Sequence, residues 1–197
     1  MSHKTLIICD LSDVLVKGLE GTEHTLSKKL NLPVEEVVKL LFTYDYRDLW
    51  YGNTSEEKFF SKLLSDFGWD ITLKELLTAI YENFYEIEGV RELYEELSRR
   101  HTLVLYSVNC AEWVERIKKI VDYSDLFEKE FYSYDLKSHK KEPSGFNAIK
   151  DLYPNHEYYL IDDSSSNIRM AESLGITGLH FTSPEQSRAA LKGKGLL

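Results

Sequence analysis

The sequence predicts an α/β fold, with a Rossmann-like core of parallel strands and a helical cap inserted after the first strand. Two observations predict it. Short apolar runs alternate with amphipathic stretches over most of the chain, as they do where helices cover both faces of a parallel sheet. Residues 17–87 break that alternation and contain only helix patterns. The predicted division is therefore a core of residues 1–16 and 88–197 and a cap of residues 17–87.

Three continuous apolar runs predict the central strands of the core. They lie at residues 6–9, 103–106 and 158–161. An unbroken run of large apolar side chains is typical of a strand that is buried on both faces of a parallel sheet. Residues 130–133 and 178–181 are shorter and weaker candidates for outer strands.

The helices of the core are predicted by apolar residues spaced at i, i+3, i+4 and i+7. Such stripes run through residues 90–97, 114–121 and 168–174, and Gly175 ends the last of them. A further helix is expected to begin after Ser183, because a proline follows in the first turn and a glutamine stands three residues on.

The cap region carries three helical stripes, at residues 34–41, 60–67 and 73–84. Thr54 and Thr72 each precede a glutamate by three residues, which is the pattern of a capping box at a helix start. These signals predict a bundle of helices and no strand between the first two strands of the core.

Composition excludes several classes of function. The chain has 33 acidic and 24 basic residues and a net charge of −9, so we expect no binding to nucleic acid or to anionic membrane surfaces. No apolar stretch approaches the length of a membrane span, and the first ten residues lack the layout of a signal peptide. With only two cysteines, Cys9 and Cys110, the chain suits the cytoplasm.

Three of the predicted strands are followed by polar residues that could carry chemistry. These residues are Asp10, Ser107 and the pair Asp162 and Asp163. Because the carboxyl ends of parallel strands meet at one edge, we expect the four to converge where open α/β sheets bind ligands. Taken alone, the pair could equally cap the next helix; together with Asp10, it predicts a Mg²⁺ site of carboxylate oxygens.

Asp10 is also the candidate nucleophile, since carboxylates accept phosphoryl groups in aspartyl-phosphate chemistry. Lys140 is the candidate cation that would offset charge between a phosphate and the carboxylates. Each has an ordinary alternative. Asp10 could simply cap a turn, and Lys140 could belong to a solvated basic loop, because it lies within the run His139 to Lys141.

These residues resemble four motifs of the haloacid dehalogenase (HAD) superfamily of hydrolases, in order and spacing. The matching segments are Cys-Asp-Leu-Ser-Asp-Val at residues 9–14, the strand ending at Ser107, the lysine segment at residues 137–141, and Asp-Asp-Ser-Ser-Ser-Asn at residues 162–167. The helical insert resembles the cap of subfamily I, and residues 50–57 resemble a stretch common in such caps. The resemblance spans residues 5–181.

The resemblance implies a Mg²⁺-dependent phosphatase of small phosphorylated metabolites that works through an aspartyl-phosphate on Asp10. The implied ligands of Mg²⁺ are Asp10, the Ser12 carbonyl and Asp163, with Asp162 acting through a water. It also implies phosphate binding at Ser107, with Ser12 and Asn109 close by, and a catalytic role for Lys140. Substrate choice would lie in the cap, where the candidates are Tyr44, Tyr46, Arg47 and Trp50.

Three departures from the family pattern leave alternatives open. Ser12 stands where the phosphatases usually carry a second aspartate, which acts as the general acid and base. A related branch that reads Asp-Leu-Gly-Asn-Val also lacks this acid, and the first motif here looks closest to that branch. Lys137 replaces a glycine and Lys141 a proline, so either Lys140 or Lys141 could be the site lysine. The alternative functions are a metal-independent 2-haloacid dehalogenase and a catalytically weak binding protein that lacks the general acid.

Overall fold

The computed structural model describes residues 4–197, and its centre is a five-stranded sheet. The strands are β1 (Lys4–Cys9), β2 (Thr102–Ser107), β3 (Lys129–Tyr132), β4 (His156–Asp162) and β5 (Thr177–His180). They lie in the order β3-β2-β1-β4-β5, and every neighbouring pair is parallel. This confirms the α/β fold class and the three central strands, and it places the two weaker strand candidates at the edges.

Five helices connect β1 to the rest of the core. They are α1 (Thr22–Leu30), α2 (Val34–Thr43), α3 (Arg47–Trp50), α4 (Glu56–Phe67) and α5 (Leu73–Tyr81). The capping box at Thr72 is confirmed, with both of its hydrogen bonds to Glu75 present. The box at Thr54 is wrong, because α4 begins one residue later and Ser55 is the residue whose side chain accepts from the Lys58 amide.

Six more helices belong to the core: α6 (Val90–Ser98), α7 (Ala111–Ile120), α8 (Ser133–Leu136), α9 (Pro143–Leu152), α10 (Ser165–Ser173) and α11 (Pro184–Gly193). Alternate strand residues face opposite sides of the sheet, so two separate clusters form. Leu6 and Ile8 pack with side chains of α9 and α10. Ile7 and Cys9 belong to the larger cluster, which takes in α6, α7 and α11 and continues among the inserted helices.

The two connections between the core and the inserted helices run side by side. Lys17 donates its amide to the Tyr85 carbonyl at 2.8 Å, and Ile87 donates to the Leu15 carbonyl at 2.9 Å. We call these two paired segments, residues 15–17 and 85–87, the neck. The division into core and cap at residues 16/17 and 87/88 stays a prediction. Residues 1–3 of the first core segment lie outside the described part of the chain.

Among residues 4–197, no helix combines the length and the apolar character that crossing a bilayer requires.

Candidate active site

The order of the strands explains where the polar residues meet. The chain builds β1, β2 and β3 toward one side of the sheet and then places β4 and β5 on the other side of β1. This reversal makes the junction of β1 and β4 the topological switch point, where open α/β sheets bind ligands. Asp10 directly follows β1, and Asp162 is the last residue of β4. Ser107 ends the neighbouring strand β2 at the same edge.

Lys140 joins the two carboxylates at the switch point. Its Nζ lies 2.6 Å from Asp10 Oδ1 and 2.8 Å from Asp162 Oδ2. All three side chains are buried, and Lys140 is only 1% exposed. Lys141, in contrast, is exposed and points to a cavity between the cap and the core. Of the two lysines that the sequence left open, the structure therefore brings Lys140 to the carboxylates.

Charge at this edge is unevenly balanced. Burial raises the pKa of Asp10 well above its ordinary value; Lys140 opposes the rise, whereas Asp162 and Asp163 add to it. Burial alone would lower the pKa of Lys140, but the carboxylates of Asp10 and Asp162 raise it above its usual value. Lys140 therefore stays charged at neutral pH, and this one cation faces a group of three carboxyl side chains, Asp10, Asp162 and Asp163.

Asp10, Asp162 and Asp163 form what we call the carboxylate cluster, since one oxygen of each lies within 4.8 Å of the others. Burial, with Asp162 adding to it, raises the pKa of Asp163 to about 6. The Ser12 carbonyl accepts no hydrogen bond from another residue of the described chain. The cluster is a set of hard oxygen donors short of positive charge, and it fits a magnesium ion.

Asn167 supports that fit, although the sequence motif alone gave it no role. Its side-chain amide donates to Asp162 Oδ1 at 3.0 Å, as does the Ser164 amide at 2.9 Å, so Asp162 is held firmly. The side-chain oxygen Oδ1 of Asn167 is buried and has no hydrogen-bond partner among residues 4–197. Such an orphaned acceptor calls for a donor such as a water bound at the site. Its place in the fourth motif, five residues after Asp162, was the sequence signal that could have identified Asn167.

The loop that carries Lys140 is fixed by its neighbours on the sheet. Tyr106 donates its hydroxyl to the Ser138 carbonyl at 3.4 Å, and the Ser138 side chain accepts from the Gly145 amide at 3.0 Å. A Cβ on Gly145 would lie 2.0 Å from the Tyr106 hydroxyl oxygen, so only glycine fits there. Lys137, at the position of the family's glycine, has φ 50°, which is left-handed.

A second network links Ser12 to Ser107. The side-chain amide of Asn109 donates to Ser12 Oγ at 2.9 Å and to Ser107 Oγ at 3.1 Å. Ser133 holds Asn109 in place, because its hydroxyl accepts from the Asn109 amide and donates to the Asn109 carbonyl, both at 3.1 Å. The predicted residues Ser12, Ser107 and Asn109 are thus in contact. Sequence reasoning missed Ser133, which is the first residue of α8 and belongs to none of the four motifs.

Asp13 turns away from this network. It adopts a left-handed conformation, with φ 59°, at the position where the family's first motif has glycine. Its carboxylate pairs with Lys17 at 2.6 Å and accepts from the Gly18 amide at 3.3 Å. Asp13 is therefore engaged by the neck between core and cap, and the acid that the family carries at position 12 is not replaced by its neighbour.

The four cap residues named from the sequence lie on one cavity of about 330 Å³. Tyr44, Tyr46, Arg47 and Trp50 line its cap side. His139, Lys141 and Glu142, from the loop that carries Lys140, line the other. Tyr51 connects the two walls, because its hydroxyl donates to Glu142 Oε1 at 2.5 Å and its carbonyl accepts from Lys137.

The cap is also fastened to the core through a buried glutamate. Glu56 accepts from Trp113 Nε1 of the core helix α7 and from the Tyr81 hydroxyl of the cap helix α5, both at 2.5 Å. The Arg116 guanidinium lies 3.6 Å from the centre of the Tyr81 ring. We call Glu56, Tyr81 and Trp113 the cap junction. The sequence gave no signal for it, since its members lie far apart in the chain.

No protein-family model matches this chain, and neither does a curated protein sequence. Solved structures do match. A protein of Porphyromonas gingivalis named as a predicted HAD-like family hydrolase is 20% identical, with a TM-score of 0.77 over 98% of each chain. A HAD family enzyme of Bacteroides thetaiotaomicron, solved with magnesium and inorganic phosphate, is 19% identical, with a TM-score of 0.72 over 91% of this chain and 95% of that one.

A HAD phosphatase of Thermococcus onnurineus is 19% identical, with a TM-score of 0.60 over 90% of this chain and 86% of that one. These similarities cover the inserted helices as well as the sheet, because they extend over nearly the whole chain. At such low identity they establish the architecture. The chain has the fold of the HAD-family hydrolases.

Proposed function

We propose that this protein is a Mg²⁺-dependent phosphatase of small phosphorylated metabolites, with Asp10 as the nucleophile. Its first motif, Asp-Leu-Ser-Asp-Val at residues 10–14, resembles that of the branch with a helical cap that reads Asp-Leu-Gly-Asn-Val. The observation that carries the proposal is the switch-point geometry, in which Lys140 bridges Asp10 and Asp162 while Asp163 completes a cluster with unbalanced charge. The magnesium and phosphate found with the Bacteroides thetaiotaomicron enzyme of the same fold support it.

The contacts support the roles that the resemblance implies. Lys140 and the Leu11 amide, at 2.7 Å, both bind Asp10 Oδ1, so Oδ2 is the oxygen proposed to attack phosphorus. Asp10, Asp163 and the Ser12 carbonyl would hold the magnesium ion, with Asp162 acting through a water. When bound, that ion would supply positive charge to the phosphate oxygens. Ser107 and Ser12 would bind the phosphate, with Asn109 beside them in the same substrate-binding group.

The carboxylate cluster also bears on the alternative of hydrolytic dehalogenation. That chemistry needs an aspartate nucleophile but no metal, and it gives no reason to gather Asp162 and Asp163 beside Asp10 at a cost in desolvation. The cluster therefore favours the phosphatase. We also propose a cytoplasmic location, which the two buried free cysteines, Cys9 and Cys110, support.

A screen of phosphorylated metabolites with Mg²⁺ and with excess chelator tests the proposal. We expect release of inorganic phosphate from at least one class of ester, only with Mg²⁺. A parallel incubation with 2-chloro acids monitors chloride. Chloride release that persists in excess chelator would contradict the phosphatase proposal and favour a metal-independent dehalogenase. Tight binding of phosphometabolites without turnover of any of them would instead favour the weak binding protein.

A further inference from the structure

The Asn109 amide group uses both of its hydrogens on two hydroxyl oxygens, Ser12 Oγ and Ser107 Oγ. A hydroxyl that accepts such a bond keeps its own hydrogen for another acceptor. Within residues 4–197, neither of these hydroxyls donates a hydrogen bond of its own. The arrangement therefore leaves two O–H donors, one in the loop after β1 and one at the end of β2, available to one acceptor group.

The amide that sets this arrangement is itself rigid. Asn109 is 1% exposed, and its backbone amide and carbonyl are both bound by the Ser133 hydroxyl. A buried side chain with a fixed backbone and both amide hydrogens engaged has little freedom to turn. The two hydroxyl oxygens are consequently held at a fixed separation.

Position 12 cannot serve as a general acid at neutral pH. An alcohol does not release its proton to a departing alkoxide as a carboxylic acid does, and a positioned acid is typically worth about 10²–10⁴ in rate. The neighbouring carboxylate, Asp13, is held by Lys17 of the neck and by the adjacent Gly18. The contacts of Ser12 thus suit phosphate binding and offer no proton to a leaving group.

We propose that Asn109 is a positioning residue that aligns Ser12 and Ser107 as paired donors to the phosphate, and that the site takes phosphate compounds whose leaving group departs unprotonated. Aryl phosphates, acyl phosphates and phosphoanhydrides form this class. The inference rests on the proposed function. It names the class of substrate that the site would favour over simple alkyl esters.

The reaction balances without an acid. A bond forms between Asp10 Oδ2 and phosphorus, the bond from phosphorus to the leaving oxygen breaks, and the leaving group keeps the electron pair as an anion. Water then attacks phosphorus, the bond to Asp10 breaks, and the proton of the water passes to solvent. Inorganic phosphate leaves, and the Asp10 carboxylate is restored.

The test is kcat/KM with Mg²⁺ for a series of esters from 4-nitrophenyl phosphate through phenyl and trifluoroethyl to ethyl phosphate. For the wild type we expect a steep fall as the leaving group becomes more basic. Ser12→Ala should lower every member by about the same factor, roughly tenfold, since it removes a hydrogen bond to phosphate. Ser12→Asp should raise kcat/KM for ethyl phosphate, relative to kcat/KM for 4-nitrophenyl phosphate, by about 10²-fold.

Asn109→Ala isolates the positioning role. We expect it to weaken the Kd for inorganic phosphate by about tenfold, measured by calorimetry with Mg²⁺ present. The matched control is Asn83→Ala, because the Asn83 amide also bridges two oxygens, the carbonyls of Gly18 and Glu20, but forms no hydrogen bond with Ser12 or Ser107. That control should lower thermal stability and leave the phosphate Kd unchanged.

Three results would overturn the inference while leaving the phosphatase intact. The first is a wild-type kcat/KM that does not change with the basicity of the leaving group. The second is a steeper dependence in Ser12→Ala, which would make Ser12 the proton donor. The third is an unchanged Kd for phosphate in folded Asn109→Ala. Absence of turnover for every ester with Mg²⁺ would instead remove the proposed function, and this inference with it.

Discussion

Two of the places where the protein buries carboxylates, the carboxylate cluster at the sheet edge and the cap junction, differ in how the charge is balanced. At the junction, the single carboxylate of Glu56 meets two neutral donors, the Trp113 indole and the Tyr81 hydroxyl. At the sheet edge, three carboxylates share one cation, Lys140. The first arrangement is complete within the chain, whereas the second has negative charge left over.

The difference separates a structural contact from a functional one. Both places are costly, since burial raises the pKa of Glu56 as it raises that of Asp10. Tyr81 and Trp113 oppose that rise at Glu56 by hydrogen bonding to the ionised form. At the edge, the excess charge is retained, and a ligand of positive charge is what would relieve it. We therefore expect substitutions at the edge to affect turnover and those at the junction to affect stability.

The largest effect is expected at Asp10. Asp10→Asn keeps the shape of the side chain but removes the nucleophile and a metal ligand, so turnover of the best phosphate ester should fall by about 10⁴-fold or more. Glu56→Gln is the matched change at the junction and should retain activity within about tenfold. Comparable losses in the two variants, measured as kcat/KM on folded protein, would erase the distinction between the two places.

The next effect concerns stability. Lys140→Met leaves Asp10 and Asp162 buried without a counter-ion, and we expect the free energy of unfolding to fall by about 3–5 kcal/mol at neutral pH. Lys141→Met, one residue away and exposed, should change it by less than about 0.5 kcal/mol. Urea unfolding of both variants provides the comparison. Equal stabilities would show that Lys140 does not balance buried charge.

A smaller loss of stability is expected at the junction. Glu56→Ala leaves the Trp113 N–H and the Tyr81 hydroxyl without their acceptor, which should cost about 1–3 kcal/mol in the free energy of unfolding. Glu57→Ala, at the adjacent exposed position, is the control and should be close to neutral. If both variants unfold at the same urea concentration as wild type, the junction does not fasten the cap.

The smallest effect is a pH dependence of metal binding. Because the pKa of Asp163 is raised to about 6 in the metal-free fold, its ionisation lowers the stability of that fold as pH rises from about 4 to 6. Below pH 6 a proton competes with Mg²⁺ for this carboxylate. The Kd for Mg²⁺, measured by calorimetry, should be about tenfold weaker at pH 5 than at pH 8. An unchanged Kd would exclude Asp163 as a ligand.

Much of the fold and of the sheet edge was predictable, because both follow from local patterns. A buried parallel strand needs a continuous apolar run, as at residues 6–9 and 103–106, and polar residues after such strands must meet at one edge. The topology then fixes which of them are neighbours. Asp10 and Asp162 come together for that reason, although they are far apart in sequence.

The rest depends on tertiary contacts that leave no local pattern. Lys140 and Lys141 are adjacent and identical in type, and only the path of the loop, set by Tyr106 and Gly145, decides which one enters the site. In the sequence, Glu56 is an ordinary acidic residue in the first turn of a helix, but its hydrogen bond from Trp113 connects the cap to the core. Cap helix α1 was missed because its apolar stripe is short.

The most direct test of the central claim is to trap the phosphorylated protein. Wild type incubated with Mg²⁺ and acetyl phosphate is quenched in acid, and its peptides are analysed by mass spectrometry. The account predicts one phosphoryl group on Asp10, absent in excess chelator and in Asp10→Asn. Turnover accompanied by phosphorylation of a different residue, or by unchanged labelling in Asp10→Asn, would contradict it.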